Sequence, residues 1–337
     1  MSRKFLVLNF IAVVLALVVV TLGAYTRLSD AGLGCPDWPG CYGHLGSPTT
    51  AKQIAKAKQR FPGQKVEPAK GWKEMIHRYF AGTLGLLIFV LAVLAWRHKQ
   101  DKRLRRLTLV LALLVVFQAM LGMWTVTQKL QPLIVTAHLL FGFTTLSFLW
   151  VLFYGQVYAN TRQPGPGKGK MILLAGILVL VLQIALGGWT GSNYAAVTCT
   201  DFPTCYNQQW FPQHDFKEAF KLWRKLGVNY EFGKLDPAAR IAIHMTHRIG
   251  ALVTFVVLLL IGFWVLVKRP WMRGAALLLF VGLGTQIALG ITIVLKARPL
   301  YVAVAHNGTA VLLLLILLTL YIQNRYEQPV RPIGPSQ

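Results

Sequence analysis

The sequence predicts an all-α integral membrane protein whose eight transmembrane helices form two tandem, pseudo-symmetric four-helix bundles. Three observations carry that reading. Long uncharged apolar runs recur along the 337 residues, only 14% of residues are charged while 55% are apolar, and the second half repeats landmarks of the first. With a mean hydropathy of +0.52, such runs exclude an ordinary soluble domain, whose elements alternate or are amphipathic. The net charge of +24, from 35 Lys and Arg against 11 Asp and Glu, reads as membrane topology. Nucleic-acid binding is set aside because no basic segment is interleaved with aromatics on a soluble module.

The first span is 5–24, which is long for a signal peptide and is followed by no small-residue cleavage site. Spans two to four are 79–96, 107–127 and 133–154, and spans five to eight are 171–190, 249–267, 275–295 and 300–322. Each can cross about 30 Å of hydrocarbon at about 1.5 Å per residue. Arg97, Lys99, Lys102, Arg103, Arg105 and Arg106 follow span two, Arg162, Lys168 and Lys170 follow span four, and Lys268, Arg269 and Arg273 follow span six. Because Lys and Arg in short loops resist translocation, these loops and both termini are expected in the cytoplasm. The long segments 25–76 and 191–240 are then expected outside a plasma (inner) membrane.

The repeat is explicit. Cys35-Pro-Asp-Trp-Pro-Gly-Cys41-Tyr42 is echoed by Cys199-Thr-Asp-Phe-Pro-Thr-Cys205-Tyr206, Gln118-Ala-Met-Leu-Gly122 by Gln286-Ile-Ala-Leu-Gly290, and His77-Arg78 by His247-Arg248. His138 recurs as His306, and all offsets fall between 164 and 170 residues. The chain divides accordingly into a bundle at 1–160, a Gly/Pro-rich cytoplasmic linker at 161–170, a second bundle at 171–325 and a tail at 326–337. Two cysteines per outside loop at identical spacing predict the disulfides Cys35–Cys41 and Cys199–Cys205 in an oxidising compartment. His44, close to Cys41, has no counterpart in the second loop, which weakens a zinc reading.

The spans put His77, His138, His247 and His306 in the first turns of spans two, four, six and eight. Each unit thus offers two imidazoles from different helices at similar depth, the arrangement that ligates one haem iron from both faces. A lone membrane histidine more often bonds a neighbouring helix, but a paired repeat at matched depth is a stronger pattern. A macrocycle lying along each helix needs small side chains one turn deeper, and those positions hold Ala81, Gly142, Ala251 and Ala310. Zinc lacks a third ligand beside either pair.

The halves differ at Glu74, whose counterpart is His244. A carboxylate near a haem edge can move a proton or stabilise positive charge, so Glu74 is the candidate catalytic residue. The plain alternative is a solvated glutamate near a helix N-terminus. Arg78 and Arg248 are candidates to bind haem propionates, or to anchor helices to headgroups.

These residues together resemble the heme A synthase family over nearly the whole chain: eight spans in two halves, Glu74-Met-Ile-His77-Arg78, His138, His247, His306 and paired loop cysteines. The resemblance implies conversion of heme O to heme A by oxidation of a ring methyl to a formyl through successive hydroxylation. It assigns Glu74, His77 and His138 to the substrate-haem site and His247 and His306 to heme b. It further implies heme O synthase and cytochrome oxidase assembly factors as partners, an unidentified electron partner and possible homo-oligomers. The family includes members without loop cysteines, so these are not expected to be indispensable. A methyl that loses electrons needs a second redox group, and a bis-histidine heme b suits that task. Competing readings are a non-catalytic di-haem b-type electron-transfer protein and a periplasm-facing thiol oxidase. A two-repeat transporter would need charged midplane residues that the spans lack.

Overall fold

In a computed structural model, which describes residues 3–97, 101–159 and 167–326, the regular structure of the described chain is helical apart from two isolated β-bridges. In order the helices are α1 (Arg3–Leu28), α2 (Ala51–Arg60), α3 (Pro68–Arg97), α4 (Lys102–Thr127), α5 (Pro132–Ala159), α6 (Lys170–Ser192), α7 (Phe216–Ala219), α8 (Pro237–Lys268), α9 (Arg273–Leu295) and α10 (Leu300–Gln323). All but α2 and α7 contribute membrane-length apolar spans, eight in total among the described residues. Most of the expected linker and all of the tail beyond Tyr326 lie outside the described residues, as do Lys99 and Arg162.

Two helices start earlier than hydropathy suggests. α3 begins at Pro68 and α8 at Pro237, so the charged residues that end the apolar runs sit inside helices. Proline suits a first turn, where its missing N–H would have no partner. His77 and His247 therefore fall in the third turn, whereas His138 and His306 are in the second turns of α5 and α10. α2, read from sequence only as loop, carries a capping box in which Thr50 accepts from Gln53 N and the Gln53 side chain accepts from Thr50 N.

α1 packs on α3 and α5, and α4 on both α3 and α5; in the second half α6 packs on α8 and α10, and α9 on both α8 and α10. Contacts α1 to α10, α5 to α6 and α5 to α10 join the two sets. This packing is compatible with two bundles, but they share one apolar core, built from Leu91, Leu111, Leu146 and Leu149 of the first half with Leu173, Leu258, Leu279 and Leu313 of the second. Hydrogen bonds stitch the seam: Trp150 Nε1 donates to Thr319 Oγ1 at 3.0 Å, Gln323 Nε2 to Tyr154 Oη at 2.7 Å, and Thr136 and Ser192 hydroxyls lie 3.0 Å apart.

Both long loops cap the same end of the molecule, and each reaches the other half. Tyr230 N donates to Lys129 O at 3.0 Å between α4 and α5, while Asp30 pairs with Arg298 at 3.9 Å between α9 and α10. The loop end is therefore a single cover over both histidine sets.

Candidate functional site

The four histidines fall into two pairs. His77 on α3 and His138 on α5 belong to the first half, and His247 on α8 and His306 on α10 to the second. Nδ1 of His77, His138 and His306 is enclosed and has no hydrogen-bond partner. An enclosed, unpartnered imidazole nitrogen is costly unless something outside the protein meets it. In the second unit a glutamine attends each ring: Gln183 Nε2 lies 3.0 Å from His247 Nδ1, and Gln286 Nε2 lies 3.1 Å from His306 Nε2. In the first unit Gln118 instead donates to the His138 carbonyl at 2.7 Å. Two imidazoles converging from diagonal helices, with nitrogen capacity to spare, fit an iron porphyrin in each unit.

Each ring is also backed by a glycine on the neighbouring helix. A Cβ at Gly23 would stand 2.9 Å from His77 Cε1, at Gly122 3.4 Å from His138 Cε1, at Gly187 3.2 Å from His247 Cε1, and at Gly290 3.3 Å from His306 Cε1. At Gly23, Gly187 and Gly290 any side chain would crowd the imidazole, whereas at Gly122 it would meet ordinary contact. Sequence reasoning found the Gly122 and Gly290 motifs without seeing their purpose, and overlooked Gly23 and Gly187 although they repeat at the cysteine offset. Of the small residues one turn deeper, none is fully buried, and a Cβ at Gly142 would stand 2.9 Å from Gln118 Nε2.

Glu74 is neither solvated nor in a first turn. Only 5% exposed, it accepts from the Cys35 amide at 2.9 Å and pairs with Arg78, one helical turn further on, at 2.5 Å. Arg78 Nη1 also donates to the carbonyls of Asp37 at 3.0 Å, Pro39 at 3.1 Å and Gly40 at 2.5 Å. The disulfide loop is thus clamped onto α3 by one carboxylate and one guanidinium. His244 occupies the equivalent place at 4% exposure: Cys199 N lies 3.4 Å from its Nδ1 and Arg248 Nε 3.3 Å from its Nε2, and a neutral ring accepts at one of the two. Arg248 Nη1 donates to Thr204 O at 2.7 Å and Pro203 O at 3.4 Å. Both arginines, expected at propionates, have guanidinium donors committed to the loops in this structure, so a propionate would compete with these bonds.

The disulfides Cys35–Cys41 and Cys199–Cys205 both form, with all four cysteines fully buried. Asp37 shapes the first loop by accepting from Tyr42 N at 2.6 Å and Gly43 N at 2.7 Å. Burial, and then the Asp37 charge, pushes the Tyr42 phenol up from its ordinary range, while hydrogen bonds from Lys65 and Lys70 hold the Glu67 carboxyl low. His44 closes a backbone bridge to Cys41. Among the described residues no three His, Cys, Asp or Glu side chains gather as a metal cluster.

The chain is similar to known proteins along most of its length. A family model described as cytochrome oxidase assembly protein matches residues 6–318. A heme A synthase of Shewanella oneidensis is 44% identical over 317 residues, covering 92% of this chain and 93% of that one. The heme A synthase of Methylobacterium radiotolerans is 30% identical, covering 93% and 88%, and that of Halalkalibacterium halodurans 25% identical, covering 91% and 92%. With paired histidines, paired loop disulfides and eight apolar helices matched to such relatives, this chain belongs to the heme A synthase family of multi-pass, cytochrome-oxidase-assembly membrane proteins.

Proposed function

We propose that the protein oxidises a ring methyl of heme O to the formyl of heme A, with substrate bound in the first unit and a resident heme b in the second. The single observation that carries the division is Glu74 against His244: two near-identical loop clamps, one holding a buried carboxylate and the other a neutral imidazole. His77 and His138 hold the substrate iron, and His247 and His306 hold heme b, with a glycine of a neighbouring helix beside each ring. Methyl to formyl takes electrons away and adds an oxygen atom drawn from water or dioxygen; heme b, when bound, would supply the one-electron redox capacity that this requires.

The protein's own groups do the rest. Glu74, ion-paired and hydrogen-bonded, is positioned as a fixed negative charge beside the first chamber, where it accepts a proton or offsets positive charge as the methyl is oxidised. Arg78 and the Cys35 amide orient it, so that it need not reorganise during turnover. The apolar core below the histidines excludes water. The loop end faces the outside of the plasma (inner) membrane and the termini face the cytoplasm, following the cation bias of the short connections. Heme O synthase delivers substrate, cytochrome oxidase assembly factors receive product, and a separate protein or small molecule takes up electrons.

The test is haem extraction with mass identification from cells supplied with a heme O source. The wild type yields a formyl haem, and Glu74→Ala keeps heme b while heme A disappears. A wild type that carries two haems and never forms the formyl product would leave the di-haem electron-transfer reading.

A further inference from the structure

With Arg78 and Arg248 engaged by their loops, the carboxylate edge of a porphyrin in the first chamber needs other cations. Arg27 lies on α1 one turn nearer the loop end than Gly23, the residue packed on His77. Residues at this spacing share a helix face. Lys73 lies on α3 one turn nearer the loop end than His77 itself, and Thr26 Oγ1 donates to Lys73 O at 3.2 Å, so the two positions are level on neighbouring helices. Neither side chain pairs with a carboxylate among the described residues. Arg27 bonds only neutral oxygens, Tyr194 Oη at 2.8 Å and Gly191 O at 3.3 Å, and its Nε is enclosed and unpartnered. The Lys73 ammonium rests 5.1 Å over the Tyr25 ring.

The second unit lacks both cations. By the repeat offsets Arg27 corresponds to Gly191 and Lys73 to Ile243, which is fully buried. At these two positions the first unit carries cations that rest on the Tyr194 and Tyr25 rings and pair with no carboxylate among the described residues, where the second unit has a glycine and an isoleucine; the second unit's own cations near His247 are Arg240 and Arg248. An arginine turned toward the seam between the halves, bonded to Tyr194 and Gly191 of the second unit, is not placed as a lipid-facing anchor. We propose that Arg27 and Lys73 bind the two propionates of the substrate haem, making a carboxylate anchor at positions where the second unit has no cation. This rests on the reading of that unit as the substrate-haem chamber. A charged porphyrin edge would replace neutral partners of Arg27 with charge-assisted hydrogen bonds, which are shorter and stronger. Because Arg27 also touches the second unit, filling the first chamber would be sensed at the seam.

The experiment is optical titration of the purified, heme b-loaded protein with heme O and with its dimethyl ester, in which both carboxylates are masked. The wild type is expected to bind the free acid about tenfold to a hundredfold more tightly than the diester. Arg27→Gln/Lys73→Gln should reduce that preference to about twofold or less, with Arg27→Lys retaining most of it. The Soret absorbance of resident heme b reports that each variant is folded, and if the double variant lacks it, Arg27→Lys and Lys73→Gln alone carry the comparison. A folded double variant with the full wild-type preference overturns the anchor, as it would if these cations hold lipid phosphate. A wild type that takes up neither form overturns the substrate-chamber reading itself.

Discussion

The two disulfide loops sit on their helices through the same set of contacts, yet one ends on a carboxylate and the other on an imidazole. In the first unit Glu74 and Arg78 form a buried ion pair; in the second, the uncharged His244 ring stands beside Arg248. The scaffold evidently needs only an acceptor at that place, since the Cys35 and Cys199 amides donate to either. Charge is therefore not required to hold the loop, which frees it to serve chemistry. A buried ion pair is weak evidence for stability on its own, and the matched neutral clamp argues that Glu74 is there for another reason. The same contrast extends to Arg27 and Lys73, whose places in the second unit are taken by the uncharged Gly191 and Ile243.

The sharpest way to break the comparison is to remove one iron ligand from each half. His247→Ala should abolish heme b, read by pyridine haemochrome, while His77→Ala leaves it in place; equal loss in both would end the division of labour. Next, Glu74→His makes the first clamp resemble the second, and product formation should fall about a thousandfold, the middle of the range for a positioned acid or base. Heme O uptake, read by titration, should persist. Third, the clamps should differ in stability. Arg78→Gln leaves Glu74 buried and unpaired at a cost of about 3 kcal/mol, against about 1 kcal/mol for Arg248→Gln beside a neutral partner, measured by thermal unfolding in detergent. The smallest contrast lies within the first unit. Gly23→Ala drives a methyl into the His77 ring and should weaken heme O uptake about tenfold, whereas Gly122→Ala, whose Cβ has ordinary room at 3.4 Å, should change it about twofold or less.

Span count, the repeat and the histidine set were legible because each is written locally, in hydropathy, spacing and residue identity. Helix starts were less so. Polar residues such as Lys70, Lys73, Glu74, Arg240 and His244 end an apolar window, but α3 and α8 run through them. The helix continues because a capping loop meets part of their hydrogen-bonding capacity, which a window over the sequence cannot register. Glu74 stood out from His244 by alignment of the halves, but its burial depends on a loop folded back across some forty residues. The loop contacts of Arg78 and Arg248 were illegible for the same reason: their carbonyl acceptors are distant in the chain.

The sequence by itself determined that this chain spans a membrane eight times, that its halves are copies, that four histidines and four cysteines recur in register, and that only one copy carries a carboxylate. Tertiary structure decided that the Arg78 and Arg248 guanidiniums bond their loops, that Arg27 and Lys73 pair with no carboxylate among the described residues, and that a glycine of a neighbouring helix stands beside each imidazole. The physical reason is that burial and periodicity are one-dimensional signals, whereas the competition among acceptors for a guanidinium is settled only when the loops close over the helix ends.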